Sequence, residues 1–112
     1  MTTSPPLSLV RGTLDLLVLG SLASGPLHGV AIAARVHQCS GGHLAVEDAA
    51  LYQALHRLDR QALVDAEWRR SENNRRARYY TLTPDGRRRL REETAIWLRY
   101  ARAMEAVLTP GA

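Results

Sequence analysis

The chain has 112 residues, fifteen of them arginine and none lysine, with a formal net charge of +4 and an isoelectric point near 10.0. That length closes one modest core and excludes two independent ones, and 46% hydrophobic residues exclude a wholly disordered chain. The charge favours an anionic partner, nucleic acid or an acidic membrane surface, and the forked guanidinium suits phosphates and guanine edges. Cys39 is the only cysteine, so no internal disulfide forms and a reducing cytoplasm is the expected compartment.

Residues 1–8 are rich in Thr, Ser and Pro and predict a flexible arm. A first helix is expected over residues 11–23, with Leu14, Leu17, Val18 and Leu22 on its apolar stripe, ended by Gly25 and Pro26. Its LDLLVLGSLASG run imitates a signal-peptide core, but Asp15 interrupts it and it is too short to span a bilayer. A second helix over residues 28–37 sets Ile32 and Val36 one turn apart, with His28 as a hydrogen-bonding residue at its start. Ser40-Gly41-Gly42 reads as a loop, and Leu44-Ala45-Val46 as a short strand.

A third helix begins near Glu47-Asp48, acids that suit a helix N-terminus. Leu51, Leu55 and Leu58 form its inner stripe. The opposite face presents Ala49, Gln53, His56 and Arg60, with Tyr52 and Arg57 at the edges. Alternation then predicts a strand in which Val64, Ala66 and Trp68 face inward and Asp65, Glu67 and Arg69 outward. Trp68 is expected in the core, closing the hairpin against the helices. Tyr80 and Leu82 repeat the pattern as a second strand, with the hairpin tip near Glu72-Asn73-Asn74.

Thr83-Pro84 supplies an N-cap and first helical position for a last helix reaching residue 108. Leu90, Thr94, Trp97, Ala101, Met104 and Leu108 follow steps of four and three, a coiled-coil-like seam. Ile96, Tyr100, Ala103 and Val107 form a neighbouring stripe. One stripe can pack on the chain itself, and the other calls for a second copy.

Three helices followed by a hairpin describe a winged helix-turn-helix, a mainly α fold with a small β-hairpin. It divides into an arm (1–8), a DNA-binding domain (9–83), a dimerisation helix (84–108) and a tail (109–112). The third helix would enter the major groove with Ala49, Ala50, Tyr52, Gln53, His56, Arg57 and Arg60. Tyr52 either touches DNA or packs between helices. Arg69, Arg70, Arg75, Arg76, Arg78 and Tyr79 on the wing would meet phosphates. Two-fold symmetry predicts a pseudo-palindromic operator.

Three segments, RGTLDLLVLGSLASGPLHGVAIAARV, LYQALHRLDRQALVDAEW and RRARYYTLTPDGRRRL, resemble in order and spacing the PadR family of bacterial transcriptional regulators, over residues 10–108. The single terminal helix is similar to the short subfamily. The resemblance implies a homodimer that binds an operator, usually represses, and often governs phenolic-acid stress or drug efflux. It further implies that Trp97, with Ala101 beside it on the dimer seam, stacks on a flat aromatic effector. Two positions depart from the family pattern: Ala50 lacks a usual hydroxyl, and Gln53 replaces a frequent proline and could read adenine through its amide.

Two rival readings accompany this one. A winged helix could bind RNA or an acidic protein, and His37, Cys39 and His43 could serve a metal sensor, though no fourth ligand is evident and no metal or cofactor is expected. No nucleophile with an oriented base, paired inward carboxylates or phosphate-binding glycine loop is present, so the chain is not read as an enzyme.

Overall fold

The structure, a computed structural model, describes residues 7–111. Gly12 takes a left-handed φ of 86°, which an α-helix cannot include, so the first helix starts later than the periodicity suggests. It is α1, Leu14–Ser21, and its apolar side buries Val18 and Leu19, with Leu22 buried immediately after it. Leu19, outside the predicted stripe, is as deeply buried as its neighbours because α1 is covered by α3 and α4 as well as α2.

After Pro26 the chain makes a two-residue strand, β1, Leu27–His28, before α2, Gly29–Cys39. His28 caps α2, its Nδ1 accepting from the Ala31 N–H at 3.3 Å. The third helix, α3, spans Asp48–Arg60 and buries Leu51, Ala54, Leu55 and Leu58. Strands β2, Val64–Arg70, and β3, Arg76–Leu82, pair antiparallel from Val64 opposite Leu82 to Arg70 opposite Arg76. The tip closes through the Ser71 N–H to the Arg75 carbonyl, 2.7 Å, with Asn74 at a left-handed φ of 57°. Asparagine tolerates that conformation, as expected at a hairpin tip. The last helix, α4, is Pro84–Leu108.

These elements are a winged helix-turn-helix extended by one long helix, with two corrections to the strands. The sheet has three strands in the order β1-β3-β2, Leu27 lying opposite Tyr80 and His28 opposite Tyr79. Two residues are too few for alternation to announce, so β1 was hidden in the approach to α2. Residues 44–46 do not form the predicted strand. Leu44 makes one parallel bridge, to Leu7, whose N–H donates to the His43 carbonyl at 2.8 Å. The predicted arm thus lies outside the described residues except at Leu7 and Ser8.

Trp68 requires a third correction. It shares a sheet face with Val64 and Ala66, yet it is 57% exposed, whereas Val64 is buried. The hairpin runs past the edge of the helical layer, so its core-facing side loses its cover after Ala66. Tyr80 and Leu82, further from the tip, are buried as predicted.

Burial holds the Tyr80 phenol above its ordinary value of 10.0, with the Arg78 charge acting in the opposite direction. Because the folded-state value is the higher, this contribution to stability is complete below the unfolded pKa and is lost as pH rises through the folded one. Thermal melts from about pH 9 to about pH 11 should therefore show Tyr80→Phe losing less stability over that range than the wild type.

Candidate nucleic-acid interface

The outer face of α3 carries no core packing. Ala49, Gln53, His56 and Arg60 are exposed there, and Ala50 is half-buried beside them. This face exists because the leucine stripe turns the other side of a 13-residue helix inward. Arg60 makes no ion pair among the described residues, although the neighbouring Asp59 lies 3.9 Å from Arg78 of the wing.

Arg57 is differently placed. Its Nη2 and Nε donate to the two carboxylate oxygens of Asp15 at 2.7 and 3.4 Å, a fork that ties α3 to α1. That hydrogen bonding raises the already high guanidinium pKa, with partial desolvation opposing it. The pair is partly exposed, so solvent screening keeps its contribution small.

Tyr52 packs between helices and is also open to solvent. Half of its surface is exposed, but the ring lies against the first turn of α2, where a Cβ on Gly29 would fall 2.7 Å from the tyrosine oxygen. A larger residue at position 29 would make the Tyr52 ring give way.

The wing arginines divide between the two hairpin faces. Trp68, Arg70, Arg76 and Arg78 continue the face that is buried at the hairpin base, and Arg69 and Tyr79 lie on the other, with Arg75 at the tip. The Arg76 guanidinium sits 4.9 Å from the Trp68 ring centroid, and Arg70 reaches the Asn74 carbonyl at 3.3 Å. On the opposite face Arg69 pairs with Glu67 and lies 5.5 Å from the Tyr79 ring. Tyr79 is half-buried, its ring edge-to-face with His28 at 5.3 Å. Arg75 has no ion-pair partner among the described residues.

These partners were absent from the sequence reading. Arg69 with Glu67 sits two positions along one strand, a spacing that could have suggested the pair. Asp15 with Arg57 is separated by 42 residues, and nothing local signals it.

On α4, Leu90 packs against the chain's own core and Thr94 is half-buried. Beyond them the helix is bare. Ile96, Trp97, Tyr100, Met104, Val107 and Leu108 are all exposed, and Ala101 is half-buried. Trp97, 37% exposed, stacks on Tyr100 at 6.1 Å and lines a cavity of about 400 Å³ with Leu17, Val36 and Cys39. Ala101 does not line it. Among the described residues no three His, Cys, Asp or Glu side chains are grouped to hold a metal, which removes His37, Cys39 and His43 as a ready-made site. Among the same residues no helix is long and apolar enough to cross a membrane.

Residues 18–92 match the model of the transcriptional regulator PadR-like family. An uncharacterised 37.1 kDa protein in transposon TN4556 of Streptomyces fradiae is 46% identical over 79 residues. The match covers 70% of this chain and 21% of that protein, so the chain spans about one fifth of that relative's length. A PadR family transcriptional regulator from Eggerthella lenta superposes with a TM-score of 0.72 at 31% identity, over 90% of this chain and 86% of that one. Bacillus subtilis PadR, solved in complex with operator DNA, shares the fold with a TM-score of 0.66 at 22% identity, over 73% of this chain and 46% of that one.

Proposed function

The chain belongs to the transcriptional regulator PadR-like family, and on that footing we propose that it is a homodimeric repressor that binds a pseudo-palindromic operator in duplex DNA. The observation that carries the reading is a helix free of core packing on its polar face, next to a wing bearing Arg69, Arg70, Arg75, Arg76 and Arg78. The operator complex formed by the Bacillus subtilis protein supports duplex DNA as the partner. Residues 9–83 act as the reading domain. α3 enters the major groove, where Gln53 and His56 reach base edges and Ala49 and Ala50 allow close approach, while Arg60 and the wing hold phosphates. Arg57 is committed to Asp15 and contributes mainly by fixing the pose of α3.

The bare half of α4 supplies the dimer contact, through Trp97, Ala101, Met104 and Leu108, with Leu90 and Thr94 continuing the seam toward the core. A two-fold assembly places the two α3 helices about 34 Å apart, one turn of B-DNA. Protein purified from its host and mixed with sheared genomic fragments at low salt should select a fragment containing an inverted repeat. Sedimentation should give twice the chain mass. A stable monomer, or preference for structured RNA over every duplex, overturns the proposal.

A planar aromatic effector binds at Trp97 in this reading. The adjoining cavity of about 400 Å³ is of ligand size. Such a compound releases the operator only by preferring one dimer geometry to another. Trp97→Ala should lower affinity for a planar aromatic compound at least about tenfold in a fluorescence or calorimetric titration, because the stacking surface is gone.

A further inference from the structure

Trp68 is a large aromatic side chain on the wing that the helical layer leaves uncovered. It is in register with Val64 and Ala66, yet more than half of its surface meets water. Its neighbours are cationic. Arg78 lies directly opposite it across the ladder, Arg70 follows two positions along the same strand, and Arg76 covers one face of the indole at 4.9 Å. The strand acids Asp65 and Glu67 alternate onto the other face, and Glu72 sits at the tip. Asp59 of α3 lies 3.9 Å from Arg78.

The indole lines a cleft of about 290 Å³ together with Arg76 and Arg78 from the wing, Tyr52 from α3, and Gly29 from the start of α2. The cleft therefore bridges the edge of α3 and the wing. An amphipathic, positively charged slot asks for an occupant with an apolar surface and an anionic rim. A deoxyribose flanked by phosphates is such an occupant: the sugar packs on the indole, the indole N–H donates to a phosphate oxygen, and the guanidiniums take the charge.

We propose that Trp68 is a DNA-contacting residue, and that Trp68 and Arg76 form a stacked clamp for the sugar–phosphate backbone beside the groove that α3 enters. This rests on the operator-binding reading above. Stacking on Trp68 holds the Arg76 guanidinium in place before DNA arrives, so less side-chain freedom is lost on binding.

The test compares wild type, Trp68→Ala, Trp68→Phe and Arg76→Ala on the duplex fragment selected by the wild type. Trp68→Ala should weaken binding about tenfold without changing the salt slope, because no charge is removed. Trp68→Phe should keep part of the affinity, and Trp68→Ala should lose less when Arg76→Ala is already present. Subtracting the emission of Trp68→Phe from that of wild type isolates Trp68 from Trp97. That signal should be open to acrylamide in the free protein and shielded by duplex, a readout independent of any loss of folding in the alanine variant. If wild type binds and Trp68→Ala binds equally well, or if Trp68 is already shielded without DNA, the clamp is wrong and the operator reading survives. If wild type ignores every duplex, both fall.

Discussion

Raising salt from 50 to 200 mM should lower affinity for the operator by about a thousandfold, the consequence of neutralising about six phosphates per dimer. Each neutralised phosphate releases condensed counterions, and added salt opposes that release. The intramolecular ion pairs divide the arginines into those free to meet phosphates and those already paired. Arg60, Arg70, Arg75 and Arg76 have no ion-pair partner among the described residues, Arg70 reaching the Asn74 carbonyl and Arg76 the Trp68 ring. Arg57 and Arg69 are partly neutralised by Asp15 and Glu67. Arg76→Ala should therefore flatten the slope of log affinity against log salt by about two for the dimer, weakening every duplex alike. Arg57→Ala should leave the slope nearly unchanged. Gln53→Ala should do the opposite of Arg76→Ala, relaxing discrimination at one base pair by about 1–3 kcal/mol while sparing background binding. Anisotropy titrations at four salt concentrations, on operator and scrambled duplexes, read all three outcomes. A wing variant that altered sequence preference, or a Gln53 variant that altered only the slope, would reverse the roles given to helix and hairpin.

Gly86→Ala should destabilise the chain by about 2–4 kcal/mol, lowering the melting temperature by roughly 10–20 °C. A Cβ at Gly86 would lie 2.0 Å from the Leu63 carbonyl oxygen and 3.0 Å from its carbon, inside any tolerable contact. Neither side can yield freely. The Gly86 N–H donates to the Thr83 hydroxyl at 2.9 Å, that hydroxyl donates to the Ala62 carbonyl at 2.7 Å, and the Thr83 N–H donates to the Leu63 carbonyl at 3.1 Å. Ala62 itself holds a left-handed φ of 58° in the turn between α3 and β2. The first turn of α4 is thus stitched to the turn that follows α3, and an added methyl must break that stitch or push α4 away. Calorimetry would measure the loss. A control is available at Gly20, where a Cβ meets nothing within 4 Å, so Gly20→Ala should not destabilise. If Gly86→Ala melted with the wild type, the close approach of α4 to Leu63 would be refuted. In the proposed dimer, pushing α4 aside should also change the spacing of the two α3 helices, so whatever Gly86→Ala dimer remains folded should discriminate its operator poorly.

Much of the molecule is legible one segment at a time. The leucines at 51, 55 and 58 declare which side of α3 is buried, and by elimination they expose Gln53, His56 and Arg60. Arginines on both sides of Asn73-Asn74 mark a charged hairpin, and Thr83-Pro84 opens α4 where the cap was expected. Each of these signals is carried by residues a few positions apart, within reach of one helical turn or one strand pleat. What only the tertiary structure decided involves distance. Alternation assigns Trp68 to a face but is silent about where the helices beneath that face stop, and they stop before Trp68. The pairing of Leu27 with Tyr80, the fork between Arg57 and Asp15, and the seat of Gly86 on Leu63 all join segments whose meeting depends on how the layers stack. Periodicity sets the orientation of a side chain about its own axis. Whether anything lies in that direction is settled by the packing of the rest of the chain.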